Sequence, residues 1–227
     1  VLKEKVRVAT IIGTLQSTLT DFKFLSNQWK RNCEEERLLG VSLTGIMDHP
    51  ILNGTANEKD MAVFCGGDEY KMLSHIVEEL REVAIETNRV WASQLGINTS
   101  AAITCVKPSG TVSQLCNTAS GIHPRYSQYY IRNVRQDKKD PISQFLIDQG
   151  VPYQDAPESP ENMYVFSFPI SSPKNAVMRD DFNCIQQLEL WKTYAEHWCE
   201  HKPSITVYYK PEEFFKLGDW VYKNFDI

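Results

Sequence analysis

An α/β fold with much parallel pairing is what this sequence predicts, and three observations carry the prediction. Segments with apolar residues at three- and four-residue steps alternate with short apolar runs of strand length. Glycine and proline stand at the junctions between them. The 227 residues are 42% hydrophobic and 23% charged, the composition of an ordinary globular protein with enough chain for a core.

Taken in order, residues 4–32 read as helix, with Val6, Val8, Ile11, Ile12, Leu15, Leu19, Phe22 and Leu25 on the helical repeat. Leu38 to Ile46 (LLGVSLTGI) is a short buried strand or a strand-to-helix junction. Residues 49–67 are polar and glycine-bearing, an excursion that closes on Gly66-Gly67. Asp68 then N-caps the longest helix, 69–95, and Gly96 stops it. A strand over 101–106 runs into a Pro-Ser-Gly loop and a helix beyond it. Tyr129 to Val134 alternates like a strand, and Pro141 opens a short helix to about Gln149, with Gly150 as its stop. Pro152 to Asn162 is a proline-rich acidic loop, Met163 to Ile170 a strand, and Asp180 to His201 a helix rich in Trp and Leu. Ser204 to Tyr209 is a strand, and Pro211 at the first helical position opens the last helix, 211–223. The pattern fits a barrel wall and an open sheet equally well. One domain, or part of one, covers residues 1–227.

Charge and composition exclude some functions. The formal charge is −5 with both signs interspersed, and no long basic run suggests a nucleic-acid or membrane surface. No apolar run has membrane-spanning length. The first residues, VLKEKVRVATIIGTLQ, lack the layout of a secretory signal. Val1 starts with a helical repeat already running and Ile227 stops abruptly, so the sequence reads as a piece of something longer. Six cysteines (33, 65, 105, 116, 184 and 199) form no Cys-x-x-Cys pair. Reduced thiols in the cytoplasm are the expectation, with Cys105 and Cys116 in packing roles.

The chemistry concentrates in VKPSGTVSQLCNTASGIHPRY, Val106 to Tyr126. Pro108 shapes the start of the loop and Gly110 permits close approach to the main chain. Ser109, Thr111 and Ser113 add hydroxyls, and the amides of 109–113, with Val112 among them, point one way if Thr111 opens a helix. Such a set holds a phosphate; it is equally a turn followed by an N-cap. The spacing is not that of a Walker loop. His123, rigid before Pro124, and Arg125 are candidates for an anionic ligand, with a turn cap as the alternative for His123. Tyr208 and Tyr209 end a strand facing opposite sides. His197 and His201 have the spacing of a helical metal pair, but Trp198 and Cys199 between them read as core, and no metal site is expected.

Four segments together, GTLQSTLTDF (13–22), CEEERLLGVSLTGIMD (33–48), KPSGTVSQLCNTASGIHPRY (107–126) and KPSITVYYKPEE (202–213), resemble the adenosylcobalamin-dependent, class II ribonucleotide reductases, most of all the monomeric ribonucleoside-triphosphate reductase type. The resemblance covers nearly the whole chain. It implies a part of the ten-stranded α/β barrel of those enzymes, its C-terminal half, and reduction of ribonucleoside triphosphates to deoxyribonucleotides by thiyl-radical chemistry. It assigns Pro108 to shaping the substrate-phosphate loop and Ser109, Gly110, Thr111, Val112 and Ser113 to phosphate contact. His123, Arg125 and Tyr208 become substrate-proximal candidates. The family's Asn-x-Cys-x-Glu finger loop is absent here, and its reducing cysteines are expected beyond both ends, so no catalytic residue is assigned. Most of the allosteric specificity site is likewise expected upstream. The implied cofactor is adenosylcobalamin, and the implied partners are an N-terminal half of the reductase and a thioredoxin-type reductant. Alone, the chain is expected to be inactive. The competing reading is a stand-alone phosphate- or nucleotide-binding module without catalysis.

Overall fold

The computed structural model describes residues 1–65 and 72–227; the side chains of 62–65 fall outside that description, as do the expected Gly66-Gly67 turn and Asp68 cap. The described residues form two compact units, Val1–Pro124 with Asn175–Ile227, and Arg125–Lys174.

The first unit is built on three helices. α1 (Leu2–Gln16) packs on α4 (Leu73–Leu95), and α4 packs on α7 (Cys184–His197). The expected helix over 4–32 is two: α1 ends at Gln16 and α2 runs Asn27–Glu36. The hydroxyls of Ser17 and Thr18 donate to the carbonyls of Thr14 and Leu15, competing for the last turn, and Ser26 then caps α2. Two short strands, β1 (Val41–Ser42) and β2 (Thr104–Cys105), pair in parallel. The excursion after β1 is not wholly polar loop. Ile51, Leu52 and Met61 are buried, and residues Glu58–Cys65 form α3. Asn53 ties its turn by accepting from the Thr55 amide and hydroxyl. α4 starts at Leu73, with Met72 in extended geometry before it, and Gly96 closes it at φ +65°.

The core of this unit joins Val6, Leu39, Val41, Ile46, Met47, Val77, Leu80, Ile103, Val106, Ile122, Trp191, Tyr194 and Trp198. Its polar atoms are paired: Tyr194 donates to the Leu52 carbonyl at 2.8 Å and Trp198 to the Cys105 carbonyl at 2.7 Å. α7 starts at Cys184 rather than Asp180, because Asn183 and Gln186 form a reciprocal capping box. It ends at His197, short of His201. Residues 204–209 are in no strand ladder among the described residues, so the expected last strand is an extended segment only. Pro211–Glu213 form a 3-10 turn that leads into α8 (Phe214–Lys223).

The second unit is an antiparallel sheet of order β3-β5-β4, from β3 (Tyr129–Asp137), β4 (Tyr153–Asp155) and β5 (Met163–Ser171). Much parallel pairing was expected, and the described residues hold it only between β1 and β2. The alternation along 129–137 suits a half-exposed antiparallel ribbon, whereas buried parallel strands read as continuous apolar runs. The proline-rich loop 152–162 contributes β4 to this sheet. α6 (Pro141–Asp148), capped by Asp140, completes the unit.

Candidate functional site

The loop after β2 is held from below by the segment after β1. Thr44 is the hub: its hydroxyl donates to the Ala119 carbonyl at 2.9 Å, accepts from the Gly121 amide at 3.2 Å and lies 3.0 Å from the Ser109 hydroxyl. The Gly45 amide donates to the same Ala119 carbonyl, and the Asp48 carboxylate accepts from the Ala119 amide at 2.7 Å. Ser42 accepts from the Lys107 amide. Gly121 must be glycine, since a Cβ there would stand 2.6 Å from the Lys107 carbonyl oxygen and φ is +54°.

Within the loop, Ser113 is buried and its hydroxyl donates to the Ser109 carbonyl. α5 (Val112–Leu115) is a single turn with Thr111 at its cap position, and the main-chain bonds that close it begin at the Gln114 amide, which donates to the Thr111 carbonyl. Gly110, Thr111 and Val112 are exposed, and Ser109 is half-buried. Gly110 differs from Gly121 in kind: nothing lies within 4 Å of where its Cβ would stand, so packing inside this chain does not call for a glycine there.

His123 is half-buried beside this turn, with one ring nitrogen on Ser120 and the other on Thr206. Tyr208 is 45% exposed, its main chain gripped on both sides by the Gln187 side chain. Arg125 is buried and belongs to the second unit. His197 and His201 do not converge: His197 meets Glu78 and His201 meets the Leu39 carbonyl. Thr44, Asp48 and Gln187 were not anticipated. A threonine inside the apolar run LLGVSLTGI was the available signal for Thr44.

Cys116 is exposed, against the packing role expected of it, because α5 ends there and Asn117 turns the chain at φ +50°. Cys105 is buried, and burial raises its thiol pKa. Burial pushes Cys199 up to about 12, with Cys105 beside it adding to the effect. Neither has the lowered pKa of a nucleophilic cysteine.

Fold and loop define a segment of a mixed α/β structure in which an exposed turn follows a short parallel strand pair. The fold matches a B12-dependent (class II) ribonucleotide reductase of known crystal structure with a TM-score of 0.73 at 20% identity, over 97% of this chain and 32% of that one. No protein-family model matches the chain. A probable adenosylcobalamin-dependent ribonucleoside-triphosphate reductase of Dictyostelium discoideum is 30% identical over 189 residues, covering 82% of this chain and 23% of its own length. The Lactobacillus gasseri adenosylcobalamin-dependent ribonucleoside-triphosphate reductase is 27% identical over 198 residues, 79% of this chain and 26% of its own. In sequence and fold the chain is a relative of the adenosylcobalamin-dependent ribonucleotide reductases, and it spans about a quarter of the length of these curated relatives.

A corrinoid is far larger than the cavities of the first unit, of which those described reach about 380 Å³ beside α1 and α2 and about 440 Å³ beside α8. None of the described cavities has room for the ring.

Proposed function

We propose that this chain is the C-terminal catalytic-barrel part of an adenosylcobalamin-dependent ribonucleoside-triphosphate reductase, with residues 1–227 as a single partial domain of the barrel. Its contribution is to bind and orient the substrate. Loop 108–113 receives the ribonucleotide phosphates on its main-chain amides and on the hydroxyls of Ser109 and Thr111, with Pro108 shaping the loop and Tyr208 a substrate-proximal candidate. The redox chemistry, with the finger-loop cysteine, the reducing dithiol and the thioredoxin-type reductant, belongs to the remainder of the reductase. Isolated, the chain is inactive.

The observation that carries the phosphate loop is Gly110. Open space where its Cβ would stand leaves the Gly110 main chain accessible to a ligand from outside. A second feature favours a part of an enzyme over a self-sufficient module. α1 buries Val6, Thr10 and Thr14 and leaves Val8, Ile12 and Leu15 at 46%, 59% and 42% exposure. A helix that buries two threonines and exposes its aliphatic face has a further partner.

Titration of the 227-residue chain with ribonucleoside triphosphate, read on the amide signals of 109–113, tests the loop. Gly110→Val is expected to weaken binding about ten-fold, on the order of 1.4 kcal/mol, and to leave unfolding unchanged. Amide signals that stay still, with the chain alone and with the rest of a reductase added, overturn the loop reading.

A further inference from the structure

We propose that His123 is a positioning residue that works as a neutral imidazole with its proton on Nδ1, tethering the turn after the phosphate loop to the extended segment 204–209. Valence alone assigns the tautomer. Nδ1 lies 3.0 Å from the Ser120 carbonyl oxygen, which can only accept. Nε2 lies 3.2 Å from the Thr206 amide nitrogen, whose N–H can only donate. A ring protonated on Nδ1 and bare on Nε2 satisfies both contacts; the other tautomer satisfies neither, and an imidazolium loses the Thr206 bond.

The tether has a second rung. Along an extended chain, residues two apart present their main-chain groups on the same edge. Thr206 and Tyr208 are such a pair. The Thr206 amide is taken by His123, and Tyr208 gives its amide to Gln187 Oε1 at 3.0 Å and accepts from Gln187 Nε2 at 2.9 Å. Gln187 is 1% exposed and its amide also reaches the Phe182 and Asn183 carbonyls, so it is fixed to the start of α7. Two side chains from separate parts of the chain thus occupy the edge where a neighbouring strand would stand. His123 is the rung that reaches the phosphate turn, through Ser120. With both nitrogens committed, His123 sets the distance between that turn and the segment bearing Tyr208, and is not itself an anion ligand.

The consequence for substrate rests on the phosphate-loop reading; the tautomer and the tether do not. Long-range ¹H–¹⁵N spectra of the histidines in the 227-residue chain at neutral pH read the tautomer directly. His123 is expected as the Nδ1–H form. His201, whose Nε2 faces the Leu39 carbonyl at 3.0 Å, supplies the contrasting Nε2–H signal in the same spectrum. Finding His123 as Nε2–H or as imidazolium overturns the proposal. Thr206→Pro removes the amide hydrogen at an exposed position in extended chain, where proline is tolerated. It is expected to move the His123 Nε2 signal and to weaken triphosphate binding at 109–113 by about five-fold, the worth of one hydrogen bond. An unmoved Nε2 signal refutes the tether, and an unchanged affinity with a moved signal refutes the positioning role. If the parent chain binds no triphosphate, the phosphate-loop reading fails, and the tautomer spectrum alone decides the tether.

Discussion

Thr44 lies 65 residues from Ser109 in sequence and 3.0 Å from it in space. Its hydroxyl touches the loop at Ser109 and the following turn at both Ala119 and Gly121. Replacing it by valine keeps the shape and removes those contacts, leaving the Gly121 amide without this acceptor. The Ala119 carbonyl retains the Gly45 amide, so the loss is partial. Thr44→Val is expected to cost about 1–3 kcal/mol, read by urea unfolding, and to weaken triphosphate binding in step. A loss below about 0.5 kcal/mol, the usual range for a surface substitution, would mean the hub is decorative. Nothing in local pattern ties Thr44 to Ser109, so a reading of the sequence locates the loop without its support. The loop itself is legible because its signal is local: Pro, Gly and hydroxyls in a row between apolar segments. Cys116 illustrates the opposite failure, since a cysteine in the segment after an apolar strand and loop reads as core, whereas the short helix before it ends at the surface.

At the level of elements, the ends matter more than the repeats. The helical repeat persists across Ser17–Ser26, yet hydroxyls at 17, 18 and 26 divide it into α1 and α2. The same logic decides α7. The helix was expected to start at Asp180, but Asn183 accepts from the Gln186 amide at 2.9 Å while Gln186 accepts from the Asn183 amide at 3.0 Å. Asn183→Ala is expected to destabilise the chain by about 1 kcal/mol, measured by chemical denaturation, whereas Asp180→Ala, well exposed and outside the helix, leaves stability within about 0.5 kcal/mol. Equal effects from the two would contradict the observed start of α7. The cap has a reach beyond its helix, because Gln187 in the first turn grips Tyr208. Segment 204–209 was legible as extended chain, but its standing outside any ladder among the described residues was not: local sequence reports conformation, while pairing depends on what lies beside it.

For the molecule as a whole, the distribution of apolar surface is the informative quantity. Within the first unit α1 spends its inward face on Thr10 and Thr14, whose hydroxyls bond back to the Val6 and Thr10 carbonyls, and Asn88 from α4 donates to Thr14 at 3.0 Å. That face is satisfied by hydrogen bonds. Val8, Ile12 and Leu15 recur at i, i+4 and i+7 on the outward side, and α8 leaves Phe215 and Tyr222 at 85% and 84% exposure. The Dictyostelium relative extends well beyond the matched region, since this chain covers 23% of its length, and the rest of such a reductase is the occupant proposed for the α1 face. If so, the isolated chain carries sticky surface that is not needed for its own folding. The double variant Val8→Glu, Ile12→Glu is expected to lower binding of a hydrophobic dye and self-association in analytical ultracentrifugation, while the unfolding free energy changes by less than about 1 kcal/mol. It is also expected to abolish capture of the complementary N-terminal part of a reductase. A parent chain that binds no dye and stays monomeric, or a variant that loses several kcal/mol, would place this face inside the chain's own packing and remove the argument for an outside partner.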